Sequence, residues 1–226
     1  MAVTFQQSVF ITGADRSPTF TLGTAPLEND VIYVFTSSGT TAAVTDPAEW
    51  TNILGSNTDI ETPAHQAMCH AHRVTNAEAT ASTVTWTLTN AYNTNETFSA
   101  IVAVYRDVST STLFEAAETT QQDSVTTVAT IPALTPTVTN GRVLAFVVND
   151  SGTAVNTTPS GWTSRRTSTS EGRMDLYEWD TLTTATVDTS SASVTGANDE
   201  KIVFAFVIPV AAAPPPTTKS GWGIVA

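Results

Sequence analysis

Charge is scarce in this sequence, and cations are scarcest. Asp, Glu, Lys and Arg make up 13% of the 226 residues, and lysine occurs only at Lys201 and Lys219. The formal net charge of −12 excludes the clustered cations that displace counterions from nucleic acid, so no nucleic-acid partner is expected. The nearest approach to a basic patch, Arg165-Arg166 with Arg173, reads as a solvated loop. The single cysteine, Cys69, excludes an intrachain disulfide, which leaves packing or association to supply stability. The longest apolar run, Ile202 to Ala213, is too short for a bilayer and contains Pro209, so no membrane partner is expected. Met1 to Gln7 carries neither a basic n-region nor an apolar h-region. Synthesis and retention in a cytosol, or release by lysis, follow as the expectation. The sequons at Asn95, Asn149 and Asn156 then carry no meaning for glycosylation.

Catalytic signatures are equally thin. The chain has no P-loop, Gly-x-Gly-x-x-Gly, EF-hand loop, Cys-x-x-Cys or Gly-x-Ser-x-Gly elbow. Nucleophilic catalysis needs a base beside a Ser or Cys, yet all three histidines fall within His65 to His72. The carboxylate pairs Asp46 with Glu49 and Asp199 with Glu200 read as solvated charge in turns. Neither an enzyme nor a cofactor is expected.

What is abundant is threonine, about a fifth of the chain, a β-branched residue suited to a half-wet pleated surface. Leu, Glu, Lys and Arg, the strong helix formers, are few. The composition reads all-β. Thr83 to Thr89 alternates with period two, as a strand with one buried face should. Asn140-Gly141 and Gly196 to Asp199 read as turns. The best helical candidate, Thr112 to Gln122, occupies the place where a first strand of the second half belongs.

The chain also repeats itself. Val31 to Phe35, followed by Pro47-Ala48-Glu49-Trp50-Thr51, superposes without a gap on Val143 to Val147 followed by Pro159-Ser160-Gly161-Trp162-Thr163. Downstream, Ala67 to Val74 answers Met174 to Thr181, and the long apolar strand Phe98 to Tyr105 answers Lys201 to Ile208. Short strands between turn signals suggest two tandem β-sandwich units, jelly-roll-like, over residues 1–109 and 110–210. Residues 211–226 read as an extended tail: three prolines favour a semi-rigid spacer, and Trp222, Ile224 and Val225 supply an apolar anchor for a partner, the alternative being that Trp222 folds back on its own domain.

Two residue sets invite a site. His70 and His72 would share one face of a strand, as two metal ligands can. A third ligand is not evident, and the repeat sets Tyr177 and Trp179 opposite them, positions that accept any planar ring. Trp50 and Trp162 could stack on a sugar, but a tryptophan that plugs one end of a sandwich core explains its repetition more simply.

Asp30-Val31, Pro47 to Thr51, His72-Arg73-Val74 and Tyr105-Arg106-Asp107-Val108 together resemble a family of tailed-bacteriophage virion proteins. The second copy keeps Pro159 to Thr163 but departs at Trp179-Asp180-Thr181 and Phe206-Val207-Ile208. The resemblance implies jelly-roll units on the virion surface, as head decoration (cement) proteins or accessory tail proteins, without catalytic residues. It implies the major capsid protein or other virion subunits as partners, and homo-oligomers, trimers among them. A tail-associated or adhesin-like module that binds host glycan through loops near Trp50 and Trp162 is the alternative.

Overall fold

The computed structural model describes residues 2–38, 46–53, 58–59, 66–89, 91, 96–132, 134, 136–137, 139–149, 156–168, 174–179 and 193–211. In chain order the elements are β1 (Thr4–Asp15), β2 (Thr19–Thr21), β3 (Val31–Ser38), β4 (Thr51–Asn52), β5 (Thr58–Asp59), β6 (Gln66–Arg73), α1 (Asn76–Thr80), β7 (Thr85–Thr87) and β8 (Glu96–Arg106). The second half continues with β9 (Glu115–Thr130), β10 (Arg142–Asn149), β11 (Trp162–Thr167), β12 (Met174–Trp179) and β13 (Ser193–Ile208). The fold is all-β and the pairing antiparallel.

One large sheet comes from each half. The first runs β1-β8-β3-β6-β4, with β5 also on β6; the second runs β9-β13-β10-β12-β11. In both, the half's first strand pairs its last, which pairs the central strand, and the tryptophan turn feeds the far edge. The expected boundary between residues 109 and 110 falls in the connection from β8 to β9.

Central strands β3 and β10 are hydrophobic runs because both faces are covered. All eight residues of β3, VIYVFTSS, are buried. Val31, Tyr33 and Phe35 point inward with Leu144, Phe146, Phe204 and Phe206 of the other sheet, forming one core shared by both halves. Phe35 stacks on Phe146 with ring centroids 4.6 Å apart and planes at 27°. Ile32 and Val34 point outward, beneath Phe20, Leu22, Trp86 and Leu88 from the small β2–β7 sheet and its flanks. The expected alternation holds in β7, where Trp86 is buried between exposed Thr85 and Thr87. On the second sheet, Val143, Ala145 and Val147 face outward under Ala129, Ile131, Leu134 and Trp162. Full burial of one such side chain contributes about 1.5–3 kcal/mol, so a sheet covered on both faces gains twice per strand.

The ungapped superposition of the halves is corrected by one residue. Val31 faces the shared core, whereas Val143 faces outward. Ile32 is the true counterpart of Val143: Ile32 pairs with His72 and Val104, and Val143 pairs with Trp179 and Val207. A side-chain period of two makes a one-residue slip exchange the faces, so the second half carries one extra residue between this strand and its tryptophan.

Three local expectations change. Most of the helical candidate Thr112 to Gln122 lies in β9, which completes the second sheet as β1 completes the first. Gly196 to Asp199 is not a turn but lies inside β13, where the register against β9 shifts between Thr195 and Asp199. Helix α1 was not anticipated; Thr75 caps it, bonding the Glu78 amide while Glu78 bonds back, the reciprocal Thr-x-x-Glu arrangement of a capping box. No helix among the described residues is long and apolar enough to cross a membrane.

Candidate functional site

The tryptophan turns set the geometry at the far edge of each sheet. Trp50 N–H donates to Pro47 O at 3.2 Å, and Trp162 N–H to Pro159 O at 3.1 Å. The residue before each tryptophan is left-handed: Gly161 at φ 84° and Glu49 at φ 72°. That region suits glycine and costs roughly 1–2 kcal/mol for a residue with a Cβ. The strain at Glu49 lies beside a cleft.

That cleft, about 570 Å³ in volume, is lined by Glu49, Thr51, His72, Glu78, Thr110 and Leu113 among others. It opens because β4 pairs with β6 over only two residues. Its opposite wall is the connection leaving β8, which is tied back to the sheet. The Tyr33 hydroxyl donates to Leu113 O at 2.5 Å, and the Arg73 guanidinium donates to Ser109 O and, at 3.3 Å, to Asn29 O.

His72 is the fixed point of the cleft. Its Nδ1 lies 3.1 Å from Glu49 O, and its Nε2 lies 3.1 and 3.2 Å from the two Glu78 oxygens. The imidazole sits between Trp50, at 5.2 Å, and Trp86, at 5.0 Å. Burial works to raise the Glu78 carboxyl, but hydrogen bonds from the Thr75 backbone and hydroxyl and from His72 outweigh it and hold the group below its ordinary value. The Glu49 carboxylate and the hydroxyls of Thr51 and Thr110 make no hydrogen bond among the described residues. The cleft therefore offers a free acceptor and two free hydroxyls.

His70 and His72 do lie on one face of β6, both outward, opposite Val34 and Ile32. Both ring nitrogens of His72 are held by protein, and His70 Nε2 contacts Asp46 Oδ1 at 3.2 Å. Burial lowers the His70 pKa, against the hydrogen bond and charge of Asp46. No group of three His, Cys, Asp or Glu among the described residues could hold a metal ion. Cys69 is fully buried, and burial pushes its thiol up. Of the carboxylates read as solvated, Asp46 and Glu49 are exposed, but Asp46 also accepts from Asn52 at 2.7 Å.

Trp162 is 6% exposed and packs edge-on against Trp179 at 5.5 Å. Trp50 is half-buried against Phe20 and His72. Trp222, Ile224 and Val225 lie outside the described residues.

The reading of Arg165 as a solvated loop residue is corrected. Arg165 lies in β11 and donates to the fully buried Glu178 through Nε at 3.0 Å and Nη2 at 2.9 Å. Glu178 also accepts from the Tyr105 hydroxyl at 2.7 Å, with Arg142 Nε at 3.5 Å. The Arg165 guanidinium lies 4.8 Å over the Phe5 ring. This cluster pins the first sheet to the second; a buried carboxylate demands such partners, which local sequence does not display. The Thr75-x-x-Glu78 capping signature is the local signal that could have found the Glu78 side of the cleft. Comparison with protein-family models, curated proteins and solved structures finds no match.

Proposed function

We propose that the chain is a non-catalytic structural protein of a tailed-bacteriophage virion, a head decoration or cement protein whose contacts with the major capsid protein stabilise the shell. Its halves are read as two jelly-roll-like units from an internal duplication. That reading is supported by the strand order shared by the two large sheets. The observation that carries the functional proposal is the root of the tail. Val210 bridges Val108, Ala211 N–H donates to Asp107 O and Ser109 N–H donates to Pro209 O, both at 2.8 Å. The proline-rich segment and its Trp222 anchor therefore start from a fixed point on a packed body.

The test compares sedimentation and shell binding of the full chain with a chain ending at Val210. Loss of a defined oligomer, or of binding to shells lacking their decoration protein, on truncation supports the reading. Two identical monomers without affinity for shells would sink it.

A second reading, an adhesin-like module for host glycan, is favoured by the cleft. A free carboxylate with free hydroxyls suits a hydroxylated ligand, and it needs no exposed tryptophan face. Glycan binding that disappears in Glu49→Ala would establish it in place of the first.

A further inference from the structure

The outer face of the second sheet carries an unexpected set of polar residues. Asn149 ends β10 and stands directly across the ladder from Lys201 on β13. Asp175, on the other neighbouring strand, pairs with Val147 and so lies one step along the same face. All three are fully buried. Around them the face is apolar: Val143, Ala145, Val147, Val203 and Ala205.

In the first half the matching positions are Ser38, Met68 and Phe98, and the last two belong to an apolar core. Where the first half has a methionine and a phenylalanine, the second has an aspartate and a lysine. Burying an ion costs several kcal/mol even when it is paired, so the exchange calls for a chemical reason. The carboxamide of Asn149 adds a second anomaly. Neither its oxygen nor its nitrogen has a hydrogen-bond partner among the described residues, although a buried polar group left unsatisfied costs about 1–3 kcal/mol. Asn156, itself 8% exposed, donates Nδ2–H to Asp175 Oδ2 at 2.6 Å and so orients that carboxylate.

We propose that Lys201 and Asn149 join through an intramolecular amide bond. In an apolar setting charge separation is unfavourable. A proton passing from the lysine ammonium to the Asp175 carboxylate removes both charges and leaves a neutral amine. The Nζ lone pair attacks Cγ of Asn149, and Asp175 delivers its proton to the departing amide nitrogen. The carboxylate so regenerated takes up the proton that Nζ sheds as it becomes an amide N–H. The Cγ–Nδ2 bond breaks, one ammonia leaves, and Nζ–Cγ becomes the new amide. No oxidant, metal or further reactant takes part. Residues directly opposite on antiparallel strands hold their Cβ atoms about 4.5–5.5 Å apart, and such fixed proximity supplies the effective concentration that a free amine and amide lack. The product has no buried ammonium and no unsatisfied primary carboxamide.

The purified full chain tests this by intact mass and then by peptide mapping. The expected result is a mass lower than that of the sequence by one ammonia, with a branched peptide joining Asn149 to Lys201 and no tryptic cleavage after Lys201. Asp175→Ala and Lys201→Arg should each keep the unreduced mass. A wild-type chain at full sequence mass overturns the proposal without recourse to any variant. So does an ammonia loss without a branched peptide, as from a cyclic imide at Asn149, or a branch at Asn156 in place of Asn149. Linkage that persists in Asp175→Ala overturns the role of the carboxylate.

Discussion

The turns before Trp50 and Trp162 follow one backbone path and end in different surroundings. Both close the same hydrogen bond, and both need a left-handed residue before the indole. In the second half that residue is Gly161, and a Cβ added there would meet the Trp179 ring at 3.2 Å. In the first half His72 stands where Trp179 stands. The smaller ring leaves room for Glu49, whose carbonyl lies within hydrogen-bond reach of His72 Nδ1. Indole on indole seals one edge, while a short β4, an imidazole and a strained glutamate leave a polar cleft at the other. Two sheets with one strand order can thus differ in chemistry through a few residues at one edge.

The halves are most alike at the centre. Phe35 and Phe146 are counterparts and stack on each other. Phe35→Ala and Phe146→Ala should each cost about 3–5 kcal/mol. Residues in contact share their interaction energy, so the double variant should lose less than the sum, by about 0.5–3 kcal/mol. Denaturant titration of the four proteins measures this. Strict additivity would mean that the halves do not share a core.

Next comes Glu178, whose counterpart in the first half is the small, buried Ala71. Glu178→Gln leaves the Arg165 guanidinium facing a neutral amide. Removing one partner of a buried ion pair costs roughly 3–5 kcal/mol, reduced here because both arginines keep some solvent contact. Thermal unfolding at fixed pH reads it out. A loss within the range of a surface substitution would show that the cluster does not hold the sheets together.

The sequence displayed period-two strands, the proline-tryptophan turns and the two long apolar strands, because these are local patterns. It did not display that Val31 and Val143 face opposite ways, since a one-residue slip preserves composition while reversing every side chain. Nor could it show that the largest core lies between the halves, for a strand buried on both faces reads the same whichever layer covers it. Of the cleft, Glu49 and His72 stand out in the sequence, but beside Asp46 and His70 rather than beside each other. Arg73 and Thr110 enter only because the chain returns past β6 after β8. The pairing of Arg165 with Glu178 needed the register of β11 on β12, bulge included.

Acid should act on the first half through His70 and Glu78. The His70 pKa is lowered on folding, so its stabilising effect is complete above the ordinary imidazole value and fades as pH falls through and below it. Glu78, also lowered, contributes above the ordinary carboxyl value and loses its effect at more acidic pH. The second half carries Tyr177, not an imidazole, at the position of His70. His70→Gln should flatten the upper part of the acid dependence, and Glu78→Gln the lower part. Stability measured across the pH series distinguishes them, and an unchanged profile in both variants would deny the asymmetry.

The finest test exchanges the left-handed residues. Gly161→Glu puts a Cβ against Trp179 at φ 84° and should cost about 1–3 kcal/mol from strain and overpacking. Glu49→Gly runs the other way. It removes the left-handed penalty at φ 72° but frees the unfolded chain, so the net gain should be below about 1 kcal/mol. The carbonyl beside His72 belongs to the backbone and survives the change. A gain would show that Glu49 is kept at the expense of stability, as a residue with a task in the cleft would be. A loss would show instead that the glutamate side chain supports the fold, and the free carboxylate of the cleft would then have no claim to a ligand.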